Sequence, residues 1–131
     1  MNENNVVKEI RLDNDLLLTI TDCSKKVGKD AWFVSMTACI RIPVDKKHFP
    51  DSSKGGIPYE DAVAKLGGEV LFEHKAERNF IMEPDREKVF SSLVEDFMST
   101  SLAYLSRPEF ATKFIEKKYR DLAGAKRLKR F

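Results

Sequence analysis

Two histidines, two cysteines and a run of cations are the residues that could give this chain a chemistry. His48 and His74 lie far apart in sequence, and Cys23 and Cys39 add only two thiols. That falls short of the closely spaced His/Cys set that holds a structural zinc. The chain contains no Gly-x-x-x-x-Gly-Lys-Ser/Thr, Gly-x-Ser-x-Gly, His-Glu-x-x-His or Cys-x-x-Cys; each of those patterns places nucleophiles, phosphate cradles or ligands at a working spacing. No catalytic residue, metal or cofactor is therefore assigned, and a non-enzymatic role is expected.

The cations are more concentrated. Lys113, Lys117, Lys118, Arg120, Lys126, Arg127, Lys129 and Arg130 face only Glu116 and Asp121 within 113–130, a net charge of +6. The rest of the chain carries −4, for a total of +2. Such a basic end, with 126–131 as its tail, suits phosphates, and Lys113, Lys117, Arg120, Lys126, Arg127, Lys129 and Arg130 are the candidate nucleic-acid contacts. The plainer alternative is a solvated helix end whose cations complement its terminal carbonyls.

The loop Asp22-Cys23-Ser24-Lys25-Lys26-Val27-Gly28 resembles the Asp-x-Ser-x-x-Gly element of PilZ domains. The resemblance implies a cyclic di-GMP site. The chain departs from it by one extra residue between Ser24 and Gly28, and Arg11 is the only upstream arginine. Read from the residues alone, the loop is a polar turn in which Asp22 and Ser24 bond backbone amides.

These residues must be positioned by regular elements, and one stretch dominates. From Trp32 through Val34, Met36, Ala38, Ile40 and Ile42, every second residue is apolar, while Phe33, Ser35, Thr37, Cys39 and Arg41 interleave. Period-two alternation predicts a strand over 31–44 with one face on a core. With 16–23 it makes a long hairpin, in which Cys23 falls opposite a residue near Trp32 or Val34 and too far from Cys39 for a disulfide. A strand over 6–12, turned at Asp13-Asn14-Asp15, completes a meander. At about 3.3 Å per residue the third strand is long enough to require a bend, a bulge or a projecting end.

An irregular loop over 44–57 leads to a short helix over 59–66, opened by Pro58 and closed by Gly67. A fourth strand spans 69–81, with Val70, Phe72, His74, Ala76, Arg78 and Phe80 on its inward phase. A helix from about Pro84 to Leu105 carries Phe90, Leu93, Val94, Phe97 and Met98 on one stripe. Ser106-x-x-Glu109 reads as a capping box for a last helix with Phe110, Phe114, Ile115 and Leu122 inward.

The fold expected is α+β: an antiparallel meander of about four strands, one face covered by two C-terminal helices, with a short helix before strand four. Its 131 residues suit a single domain with residues 1–5 frayed. The opposite sheet face carries Leu17, Thr19, Thr21, Phe33, Ser35, Thr37, Cys39 and, in part, Leu71 and Ile81, and is expected either to bind a partner or to lie under the loop 44–57. Phe33, Thr37, Cys39 and Arg41, with His74 and Arg78, are the candidate partner or ligand residues.

No apolar run approaches the roughly 20 residues of a membrane helix, and the start lacks the basic-then-apolar layout of a secretory signal. A cytoplasmic location without membrane contact is expected. The preferred function is a protein-interaction or assembly module, a homodimer in its simplest form. The alternative is nucleic-acid association through the basic helix.

Overall fold

A computed structural model describes residues 5–49 and 58–128, with side chains described for 6–49 and 58–122. The elements are β1 (Asn5–Arg11), β2 (Leu17–Asp22), β3 (Lys25–Lys26), β4 (Ala31–Pro43), a 3-10 turn (Lys46–His48), α1 (Tyr59–Leu66), β5 (Glu69–Met82), a second 3-10 turn (Glu83–Asp85), α2 (Arg86–Leu105) and α3 (Phe110–Leu128). The fold is α+β with an antiparallel sheet, as the patterning requires.

The hairpin forms where alternation places it. Leu18 stands opposite Ile40 and Asp22 opposite Met36, and β3 continues the same arm with Lys25 opposite Phe33 and Lys26 opposite Trp32. Only Cys23 and Ser24 interrupt the arm. The Cys23 amide donates to the Ser35 carbonyl at 2.9 Å, one residue from the positions expected, and the Ser35 amide donates to Ser24 Oγ at 3.0 Å. The register is the same on either side of that interruption, so the arm pairs with β4 without a bulge. β1 pairs with the other edge of β2 and slips register between Val6 and Lys8, which leaves Val6 and Val7 exposed. β5 pairs with β4.

The chain divides into two compact units. Residues up to Ile40 with Phe72–Arg107 form the first; Arg41–Leu71 with Pro108 onward form the second. In the first, Leu18, Ile20, Val34, Met36, Ala38 and Ile40 are fully buried, and Leu93, Phe97 and Leu105 of α2 join that core. In the second, Ile42, Val44, Ala62, Val70, Phe110 and Ile115 are buried, and α1 packs on α3.

Two local devices hold the first unit. The turn Asp13–Asp15 places Asp15 at φ 72°, a conformation that Asp tolerates. Asn14 closes the turn by accepting from the Leu16 amide at 3.2 Å. Its Nδ2 donates to the Leu105 and Arg107 carbonyls at 2.8 Å each, which caps the end of α2. Ser106 therefore terminates α2, its amide donating to the Leu102 carbonyl; α3 begins only at Phe110, so the expected capping box does not form.

Candidate functional site

The expected partner residues split between two sheet faces. Phe33, Thr37 and Cys39 alternate on one side of β4. Trp32 lies on the other, where Arg86 of α2 stacks over its indole at 4.1 Å. His74 of β5 belongs to α2's side as well: its ring stacks on Phe97 at 5.1 Å. His74 is not a core residue but an exposed one, laid over the buried Phe97. Alternation keeps His74 out of reach of Phe33, Thr37 and Cys39. Arg41 lies in the second unit, 77% exposed and 3.7 Å from Glu69, a weak surface pair.

The face bearing Thr37 is less open than its pattern suggests. Ser35 and Thr37 are only 3% and 8% exposed, and Cys23 Sγ lies 3.5 Å from Thr37 Oγ1. The middle of that face therefore offers little contact area. Residues 50–57 of the loop expected to cover it lie outside the described residues.

The stretch Asp22–Gly28, expected to be a polar turn, is largely strand: Asp22 ends β2, and Lys25 and Lys26 pair with Phe33 and Trp32. Asp22 Oδ1 accepts from the Ser24 amide at 3.0 Å, and Asp22 Oδ2 sits 3.8 Å from Arg86. Asp22 and Ser24 are thus occupied with internal contacts. Trp32 Nε1 donates to Glu83 at 2.5 Å, so Asp22, Trp32, Glu83 and Arg86 fasten the start of α2 to the hairpin. No sequence signal pointed to that cluster.

On α3, Lys113, Lys117 and Arg120 are exposed along one side and line a shallow hollow of about 460 Å³ together with Glu116 and Asp121. Lys117 pairs with Asp121 at 3.1 Å, which offsets part of the stripe's charge. Lys126 and Arg127 fall within α3; their side chains, and Lys129 and Arg130 altogether, lie outside the described residues.

His48 is half-buried. Its Nδ1 lies 3.2 Å from Thr112 Oγ1, while Nε2 is buried without a partner among the described residues. Burial, then the charge of Lys47, hold its pKa below the usual 6.5, with Asp45 opposing. A lowered folded-state pKa fixes the sign of the pH dependence. Near neutrality the ring is uncharged in both states. As pH falls below about 6.5 the unfolded chain takes up the proton first, and stability drops. The thermal midpoint of wild type should therefore fall more between pH 7 and 5 than that of His48→Gln. Parallel curves would show that His48 is not a source of the acid sensitivity.

The least expected feature is the end of β5. Phe80 adopts φ 54°, a left-handed conformation that costs a bulky residue about 1–2 kcal/mol. This breaks the alternation assumed over 69–81. Ile81 turns half-inward in place of Phe80, which is 72% exposed, and Met82 is 48% exposed. With Arg78, Lys88, Val89 and Asp96 these residues line a groove of about 560 Å³ between β5 and α2. Strain kept at an exposed aromatic suggests selection for something other than stability. Phe80→Asn, which suits that conformation, should raise the thermal midpoint by about 2–4 °C. An unchanged or lowered midpoint would show that the backbone there is not strained.

β5 also forms an edge. It spans 14 residues, only Val70 among them is buried, and β4 is its one strand partner among the described residues. Among the described residues, no cluster of His, Cys, Asp and Glu is placed to hold a metal, and no helix is long and apolar enough to cross a membrane. Comparison with protein-family models, with curated proteins and with solved structures finds no match.

Proposed function

We propose that this protein is a non-catalytic assembly module that self-associates through the outer edge of β5. The observation that carries the reading is that edge: a long strand whose one strand partner among the described residues is β4, ending in the exposed Phe80 and Met82. Backbone amides along an unpaired edge are a template for another strand, and proteins that avoid such pairing shorten, cover or charge their edges. β5 is neither short nor covered by a described strand; it is charged, but with both signs, Glu73, Lys75, Glu77 and Arg78. The near-complete burial of Ser35 and Thr37 favours the edge over the second sheet face as the contact. The test is the solution mass across a concentration series. The reading expects twice the 15.0 kDa of one chain at high concentration, and a strict monomer throughout overturns it.

A second reading, association with nucleic acid, is supported by the exposed Lys113, Lys117 and Arg120 on one side of α3. It requires retention on nucleic acid at low salt, lost as salt rises. Absence of retention at low salt removes it.

A further inference from the structure

We infer that two copies of this chain join by antiparallel pairing of β5 with β5 about a two-fold axis beside Ala76. This rests on the self-association proposed above and specifies its geometry.

In a strand, only alternate residues direct their amides toward a given edge, and directly opposite residues in an antiparallel pair share the same bonding phase. A symmetric β5 pair must therefore have its axis beside a residue and not between two. The side chains then choose among the possible axes. An axis at Lys75 sets Lys75 against itself and Glu73 against Glu77. An axis at His74 pairs Glu73 with Lys75 but lays Leu71 against Glu77. An axis at Ala76 sets Lys75 opposite Glu77 twice, by symmetry, and Glu73 opposite the neutral Asn79.

That register matches charge with countercharge at its centre. Ala76, the smallest side chain in this part of the strand, falls on the axis, where two identical side chains must meet. Lys75 alone would serve as a charge that blocks edge pairing. Glu77, two residues on, reverses that effect for one partner only: a copy of the same strand in this register.

Charge exchange tests the register. Lys75→Glu and Glu77→Lys each turn both attractive pairs into like-charge pairs, and each should weaken the dimer at least about tenfold. The double variant Lys75→Glu/Glu77→Lys restores opposite charges and should return to within about threefold of wild type. Both side chains are exposed, so the monomer fold should survive, as circular dichroism will show. Ala76→Cys should give a covalent dimer on mild oxidation, because the two Cα atoms meet across the axis within disulfide reach. Glu73→Cys should not, since its copies stand roughly 20 Å apart.

A wild-type dimer that ignores the single swaps, or that cross-links through Glu73→Cys and not Ala76→Cys, overturns this register but leaves self-association standing. A wild-type monomer at all concentrations overturns both. Loss in the single variants that the double variant does not repair also overturns the register.

Discussion

Phe97→Ala is expected to lower the unfolding free energy by about 3–5 kcal/mol. Phe97 is 4% exposed and lies on α2, where it takes the His74 ring on its face. Removing the ring deletes buried apolar area, leaves a cavity under β5 and strips His74 of its support. A domain with a total stability of about 5–15 kcal/mol loses much of its margin to such a change. Urea unfolding measures it as a lower midpoint with an unchanged slope. Glu95→Ala, on an exposed position of the same helix, should stay within about 0.5 kcal/mol of wild type. A loss under about 1 kcal/mol for Phe97→Ala would mean that α2 does not rest on the sheet through this ring.

Asn14→Ala should cost about 2 kcal/mol, a large effect for a residue in a surface turn. One side chain accepts from the Leu16 amide and donates to two carbonyls at the end of α2. Each such bond contributes about 0.5–1.5 kcal/mol, and truncation leaves its partners to find water. Asn14→Asp separates the two halves of the role. It keeps the acceptor for Leu16 but sets a carboxylate against two carbonyls at the negative end of a helix. It should cost at least as much as Asn14→Ala. A neutral Asn14→Asp would show that donation to α2 contributes nothing.

The architecture was legible because it rests on periodicity. The alternation from Trp32 to Ile42 fixed the hairpin's faces, and Val34, Met36, Ala38, Ile40 and Ile42 are all fully buried. Pro58 and Gly67 bracket α1 (Tyr59–Leu66) on the residues expected, because each acts locally on its own backbone. What escaped depends on contacts distant in sequence. Nothing near Asn14 announces that it caps α2 ninety residues away. Trp32 has an inward phase, yet it is half-buried because the Arg86 guanidinium covers it instead of a hydrophobic side chain. His74 also lies on an inward phase, but it is exposed, and among the described residues β4 is the one strand beside β5.

Phe80 is the clearest limit. Its residue type favours extended structure, and only the backbone shows the left-handed turn that moves Ile81 inward. The candidate residues taken from strand alternation therefore scattered over two faces. The edge of β5, by contrast, could have been suspected: Lys75 and Glu77 sit symmetrically about Ala76 in the primary sequence. That arrangement acquires meaning only once β5 is known to lie at the sheet's margin.

Hydrogen–deuterium exchange along β5, followed at protein concentrations above and below the dimer's dissociation constant, addresses edge pairing most directly. The alternate amides between residues 73 and 79 that point away from β4 should exchange slowly in concentrated protein and rapidly on dilution, while those bonded to β4 stay protected throughout. Exchange at 73–79 that does not change with concentration would contradict the pairing of β5 with its own copy.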